Sequence, residues 1–329
     1  HPVHWPSVAR AMVRDVLLGE RVRRQSGLRW AVFQLISVAF MALAVVFGLI
    51  VVQRFLLPLV GVHAGRAGLF LDFGADFLGG CILLGILVAF IAIPQLQGLF
   101  GPLGYTNPLY FLMVWAPAVA GVGLVARHHG LRGVGGLLRR LTIWRVPAAI
   151  WAFLLLGLPA IFYIGATIAG TFPSPLPFAS VSAAIAAIAT AFFLGPVEEL
   201  GWRGVALPLL QRRFSPFTAS LILGAFWALW HVPAFFIGTP MSGFTFGSWV
   251  VGVMAITMTV TALFNASRGS ILLPALFHYQ LINPLWPDAQ PYDTYFFVFI
   301  AAIIIWLNRA AMLEKTGVVT EVIPTCSQK

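Results

Sequence analysis

The sequence is poor in charged residues, and acidic residues are the scarcest. Only 9% of its 329 residues are charged, with ten Asp and Glu against twenty Lys and Arg. A soluble globule of this length needs far more polar surface, since about 25% of residues are charged in average soluble domains. The two cysteines, Cys81 and Cys326, are far apart, which excludes a disulfide-rich secreted scaffold. A hydrophobic content of 60% excludes a disordered chain, so the composition predicts a polytopic membrane protein.

Long apolar runs divide most of the chain. A membrane-spanning helix needs about 20 mostly apolar residues, and these runs are longer than the ~10 alternating residues of a transmembrane β-strand. We therefore expect an all-α, polytopic transmembrane helical bundle of about eight (eight or nine) helices, since the glycine-rich stretch 76–100 is not expected to cross fully. The candidate spans are 30–52, 76–93, 108–126, 146–169, 178–195, 217–237, 248–265, 269–285 and 295–313.

Basic residues lie between the apolar runs and predict the orientation. Five arginines fall in 127–146 and six in 10–29, and the positive-inside rule places both stretches in the cytoplasm. The net charge of +10 is therefore expected to reflect membrane orientation and contact with membrane lipids, with no nucleic acid as partner. The expected organisation is a basic cytoplasmic segment at 1–29, a helical bundle at 30–313 and a cytoplasmic tail at 314–329, in a multi-pass protein of the plasma membrane.

Four acidic or histidine residues remain in apolar surroundings, whereas the other acids and histidines fall in loops, tails or span edges. They are Glu198, Glu199, His231 and His278. An ionisable side chain at membrane depth costs about 2.5 kcal/mol or more, so such residues normally face an interior cavity and carry function. Most of the eleven tryptophans are expected instead to face lipid or the membrane interface.

The two glutamates are expected to differ. Glu199 and Arg203 are four residues apart on one helix face and can pair. Glu198 points about 100° away on the same helix, so its carboxylate is free to act as a base.

Three short motifs follow one another on separate predicted helices. They are Glu198-Glu199-x-x-x-Arg203, Trp227-x-x-x-His231, and His278 followed by Asn283. Together they resemble the CPBP family of intramembrane proteases, which includes the type II CAAX prenyl endopeptidases and bacteriocin-processing members, with the patterns EExxxR, FxxxH and HxxxN or HxxxD. Trp227 stands where Phe is usual, and Asn283 comes one position later than the family pattern. The resemblance covers about residues 115–285, the expected protease core.

The resemblance implies an intramembrane endopeptidase that hydrolyses membrane-associated substrates of CAAX or bacteriocin type. Glu198 and His231 would activate a water molecule, His278 and Asn283 would stabilise the oxyanion, and Glu199 with Arg203 would orient the site. The extra residue before Asn283 turns its side chain by about 100°, so we expect a helix break near Pro284 that compensates for it.

The family is usually classed as metalloprotease, which implies one divalent metal, Zn²⁺, bound by Glu198, His231 and His278 with one position left for water. No HExxH motif is present. An alternative from another class is a non-catalytic membrane partner, or a proton-coupled carrier in which the same Glu/His cluster relays protons. No residue of the sequence identifies the substrate.

Overall fold

The computed structural model describes residues 111, 114–172, 178, 180–231, 235 and 246–324. Every long regular element within these residues is a helix, so the predicted all-helical fold is confirmed. The basic segment 1–29 and the predicted spans 30–52 and 76–93 lie outside the described residues.

The first described helix, α1, spans Ala116–Arg139 and continues well beyond the predicted end at residue 126. The predicted basic loop is therefore mostly helical, because no proline interrupts it before Pro147. A kink divides α1 at Gly130, whose φ of 63° lies in the left-handed region that glycine adopts without strain. A 3₁₀ turn, Arg140–Thr142, follows α1.

Two long apolar helices come next. Helix α2 spans Ala148–Ala169 and ends at Gly170, whose φ of 74° is typical of a helix C-terminus. Helix α3 spans Val181–Phe193, and the Ser180 hydroxyl caps it by accepting a hydrogen bond from the Ala183 N–H at 3.1 Å. Both lie close to the predicted spans 146–169 and 178–195.

Helix α4 follows a break at Leu194. It runs through Gly195–Gly201 and a π-helical turn, Trp202–Ala206, into Leu207–Gln211. Gly201 lies against α1 so closely that a Cβ there would stand 2.1 Å from the Pro117 carbonyl oxygen. A glycine is therefore required for this close packing, which fixes the two glutamates of α4 relative to α1.

The remaining helices complete the described bundle: α5 at Pro216–His231, α6 at Phe246–Ala266, α7 at Leu272–Leu281, α8 at Tyr292–Leu307 and α9 at Arg309–Glu314. By length and composition, three stretches of the described part can cross a membrane. They are Ala148–Ala169 (α2), Val181–Gln211 (α3 and α4 together) and Phe246–Ala266 (α6). The chain is a membrane protein. The predicted span 269–285 contains only the ten residues of α7, too few to cross a bilayer of about 30 Å alone.

The segment after α9 is fixed by Arg140. The Arg140 Nε donates to the Val322 carbonyl at 3.0 Å, Nη1 donates to the Gly269 carbonyl at 3.0 Å, and Nη2 donates to the Glu321 carbonyl. Burial lowers the pKa of Arg140 to about 10, while the charge of Glu321 raises it, so the guanidinium stays charged at neutral pH. We call residues 319–323 the C-terminal strap.

Polar side chains from two further helices hold the same strap. The Gln211 Nε2 donates to the Val319 carbonyl at 2.8 Å, and the Val319 N–H donates to the Asn265 Oδ1 at 3.1 Å. Arg212 donates to the Thr320 carbonyl at 2.9 Å. Part of the predicted tail 314–329 is therefore an ordered connection between the ends of α1, α4 and α6.

Candidate active site

Glu199 lies at the centre of a buried charged group. Its Oε1 accepts hydrogen bonds from Arg203 Nη1 at 2.9 Å and from His278 Nδ1 at 2.8 Å. The pair with Arg203 is the one expected from the four-residue spacing. Glu199 and Arg203 are each only 1% exposed, and Glu199 Oε2 with Arg203 Nε and Nη2 have no hydrogen-bond partner in the described structure. The buried group thus keeps unused hydrogen-bonding capacity.

Glu198 points away from Arg203, as expected, and is held by two tryptophans. Its Oε2 accepts hydrogen bonds from the indole Nε1 of Trp202 at 3.0 Å and of Trp227 at 3.1 Å. One partner comes from the next turn of α4 and the other from α5. Among the described contacts, the second carboxylate oxygen, Oε1, accepts no hydrogen bond, so it is the oxygen left for chemistry.

The Trp227 ring contacts four of the candidate residues, the first of which is Glu198. The Arg203 guanidinium carbon lies 5.0 Å from the centre of this ring, within cation–π range. The rings of His231 and His278 meet it edge-on, at centroid distances of 5.8 Å and 5.3 Å. The structure therefore brings Glu198 and both histidines together around one indole, although they come from three different helices, and Glu199 joins this group through Arg203 and His278.

His231, at the end of α5, has a defined tautomer. Its Nδ1 lies 2.7 Å from the Trp227 carbonyl oxygen, which can only accept, so Nδ1 carries a proton. The Nε2 atom of the neutral ring is then a lone-pair acceptor.

His278, on α7, is turned toward Glu199 rather than Glu198. Because the Glu199 carboxylate accepts from Nδ1, the chemistry of this ring must use Nε2. Nε2 faces the start of α4, where a Cβ added to Gly195 would stand 2.5 Å from it. Only a glycine at this position leaves the imidazole in place.

Asn283 lies beyond the end of α7, which ends at Leu281. The expected irregularity before Pro284 is therefore present. The Asn283 Nδ2 donates to Gln280 Oε1 at 3.2 Å, and Oδ1 accepts from the Leu285 N–H at 3.0 Å. The side chain thus stabilises the turn after α7, and its second amide hydrogen is available to another acceptor.

The metal site predicted at Glu198, His231 and His278 stays a prediction. Within the described residues, no three His, Cys, Asp or Glu side chains are arranged to hold a metal ion. Glu198 Oε2 accepts two indole hydrogens, His231 Nδ1 is bound to the Trp227 carbonyl and His278 Nδ1 is bound to Glu199, so Glu198 Oε1 and the two Nε2 atoms are the ligand atoms left. Zn²⁺ would need such atoms to converge at about 2.0–2.3 Å.

Comparison with known proteins shows similarity to one group of endopeptidases. The family model described as type II CAAX prenyl endopeptidase Rce1-like matches residues 180–281, from the start of α3 to the end of α7. The chain is also 31% identical over 132 residues to the CAAX prenyl protease 2 of Methanococcus maripaludis, an alignment that covers 36% of this chain and 49% of that relative. The chain thus spans about half the length of this curated relative, and the predicted resemblance is confirmed.

The site contains two tryptophans and a glycine that were not predicted as site residues. Trp202 and Trp227 are 1% and 4% exposed, so the expectation of lipid-facing tryptophans is wrong for these two. The sequence does indicate the role of Trp202, since this residue lies four residues after Glu198 on the same helix face and can reach its carboxylate. Gly195 had no signal in the sequence, because its role depends on where α7 packs.

Proposed function

We propose that this protein is an intramembrane endopeptidase that cleaves lipid-anchored or membrane-embedded substrates in the plasma membrane, with CAAX-type prenylated peptides as the first class to test. The observation that carries the proposal is the convergence of Glu198, His231 and His278 around Trp227. The match to the Rce1-like family model and the name of the curated relative support a CAAX-type substrate.

In the proposed reaction, Glu198 Oε1 and His231 Nε2 bind and polarise one water molecule. Oε1 is free because both indole hydrogen bonds go to Oε2, and Nε2 is free because the Trp227 carbonyl holds Nδ1. Glu198 takes a proton from the water, and the hydroxyl oxygen bonds to the scissile carbonyl carbon. When the C–N bond breaks, the same proton passes to the leaving amine.

His278 is the proposed stabiliser of the oxyanion. Since Nδ1–H is bound to Glu199, Nε2 can donate only when the ring carries both protons. Arg203 holds the same Glu199 carboxylate in position. With Asn283 as second donor, the developing negative charge would meet preorganised N–H groups in a dry site.

The test uses purified protein in detergent and a quenched fluorescent peptide that ends in a farnesylated CAAX sequence. The same peptide without the prenyl group, and a membrane-peptide library, are offered in parallel. We expect cleavage of the prenylated peptide, with Glu198→Gln inactive and normally folded. Cleavage that survives Glu198→Gln would contradict the mechanism. No cleavage of any peptide would contradict the endopeptidase and favour the non-catalytic or carrier alternative.

A further inference from the structure

The second part of α1, residues 131–139, has two dissimilar faces. Gly133 and Leu137 are buried against the protein, where Ile323 of the C-terminal strap packs on the helix. On the opposite face, Leu131 and Leu138 are 85% and 41% exposed. A helix face exposed to water would carry polar side chains, whereas leucines on the outer face are typical of a helix that lies in the membrane interface.

Cations lie beside these exposed leucines. Arg132 and Arg139 are both exposed and, seven residues apart, lie on one side of the helix. Further along, the Arg145 guanidinium carbon lies 5.7 Å from the ring centre of Trp144, which is 57% exposed. Tryptophan beside arginine is a combination suited to the headgroup level of a bilayer.

Anionic side chains are missing from the same part of the chain. No Asp or Glu occurs between Asp76 and Glu198, so α1 and α2 contain no acidic residue that could neutralise these arginines. Glu321 of the strap is paired with Arg212 at 3.3 Å. The exposed arginines therefore present net positive charge, which an anionic surface complements.

A groove of about 680 Å³ lies at the start of α2, lined by Trp144, Arg145, Val146, Pro147, Ala148 and Trp151. It is apolar except for one guanidinium, so it suits a molecule with a phosphate at one end and hydrocarbon at the other. We propose that residues 131–151 form a binding surface for anionic phospholipid, with Leu131 and Leu138 in the acyl boundary and Arg132, Arg139 and Arg145 on the headgroup phosphates.

The test measures lipid binding by native mass spectrometry of the full chain in neutral detergent, with added phosphatidylglycerol or phosphatidylcholine. We expect phosphatidylglycerol to bind more tightly. Arg132→Gln/Arg139→Gln should weaken the binding of phosphatidylglycerol by about fivefold for each arginine removed, because each basic residue near an anionic surface contributes about 1 kcal/mol. Leu131→Ser/Leu138→Ser should weaken the binding of both lipids.

The matched control is Arg309→Gln, which removes an exposed arginine from α9. It should leave the preference for phosphatidylglycerol unchanged. Equal binding of the two lipids by the unmodified protein, or an equal loss in Arg309→Gln, would overturn the proposal. Millimolar inorganic phosphate should not displace the lipid; displacement would identify a site for free phosphate instead. Melting temperatures in phosphatidylcholine will show that the variants remain folded.

A second inference rests on the two indole hydrogen bonds to Glu198. Both Trp202 and Trp227 donate to the same oxygen, Oε2, and both rings are buried. A phenylalanine, the usual residue of the resembled family at position 227, would fill similar space but donate nothing. We infer that Trp202 and Trp227 are positioning residues that direct Glu198 Oε1 toward the substrate; their effect on catalysis rests on the proposed function.

The variants Trp202→Phe and Trp227→Phe remove the N–H groups and keep an aromatic ring. Because hydrogen bonds to charged groups contribute about 1.5–3 kcal/mol, we expect kcat to fall by about tenfold to a hundredfold in each, with little change in KM. The control Trp306→Phe removes a 68% exposed indole of α8 and should retain full kcat.

A readout independent of activity is the side-chain spectrum of ¹⁵N-tryptophan-labelled protein. The two indole signals that disappear in Trp202→Phe and Trp227→Phe should move in Glu198→Gln, while the Trp306 signal stays in place. Signals that do not respond to Glu198→Gln would overturn the inference. If the unmodified protein cleaves no peptide, the proposed function fails while the indole signals still decide whether the two tryptophans hold Glu198.

Discussion

Gly195 and His278 are in direct contact across the junction of α4 and α7: a Cβ on residue 195 would stand 2.5 Å from both Cδ2 and Nε2 of the imidazole. Both atoms belong to the ring edge opposite the Nδ1 that binds Glu199. The ring is therefore held by a hydrogen bond at Nδ1, and its opposite edge lies beside Gly195, where a side chain would displace it.

Gly195→Ala should displace the imidazole and lower kcat by about 10²-fold, since small misplacements of a catalytic group have effects of that size. The control is Gly123→Ala in α1, where no atom lies within 4 Å of the added Cβ. That change should keep full activity and stabilise the helix by up to about 1 kcal/mol. Steady-state kinetics and melting temperatures of both variants in detergent will measure these effects. An active Gly195→Ala would show that the His278 orientation is not required.

Substitutions of the two adjacent glutamates should have different effects. Glu198→Gln should abolish cleavage and leave the melting temperature nearly unchanged. Glu199→Gln should instead destabilise the protein by about 3–5 kcal/mol, because Arg203 is then left as a buried charge without a carboxylate. The double variant Glu199→Gln/Arg203→Met also removes the unpaired guanidinium, so it should be more stable than Glu199→Gln alone. If Glu198→Gln melts early and Glu199→Gln does not, the assignment of base and structural partner is reversed.

Asn283 can be tested separately from the turn that it stabilises. If Nδ2 donates to the oxyanion, Asn283→Ala should lower kcat by about 10² to 10³ with little change in KM. Asn283→Asp keeps an oxygen for the Leu285 N–H but has no amide donor, so it should lose kcat equally while retaining stability. Full activity in Asn283→Asp would assign Asn283 to the turn alone.

Removal of metal ions should leave the reaction intact, because within the described residues no three His, Cys, Asp or Glu side chains are arranged to hold a metal ion. Protein dialysed against a strong chelator, with metal content measured by atomic spectrometry, should cleave the peptide at an unchanged rate. Loss of activity that added zinc restores would support the metalloprotease expectation, with Glu198 Oε1 and the Nε2 atoms of His231 and His278 as the ligand atoms.

Arg140 and Arg139 form a matched pair for the C-terminal strap, since they are adjacent and only Arg140 is buried. Arg140→Ala leaves several backbone carbonyls without donors and should destabilise the protein by about 3–5 kcal/mol. Arg139→Ala should change stability by less than about 0.5 kcal/mol. Equal melting temperatures would show that the strap contributes little to stability.

Local patterns in the sequence predicted much of the site. The four-residue spacing of Glu199 and Arg203, and the opposite direction of Glu198, follow from helix geometry alone and are present. The partner of His278 and the role of Gly195 depend on how α7 packs against α4, which no local pattern specifies. The predicted span ended at residue 126, where the arginines begin, whereas α1 extends to Arg139 because arginine is compatible with a helix.

The C-terminal strap also orders the events of folding. Residues 319–323 follow every described helix in the chain, and they supply acceptors for Arg140, Gln211 and Arg212 near the ends of helices made much earlier. During synthesis, those donors must stay hydrated or bind other groups until residues 319–323 have been made. The helix ends that the strap connects are therefore joined last, and an early stop before residue 319 would leave the described helices without this connection.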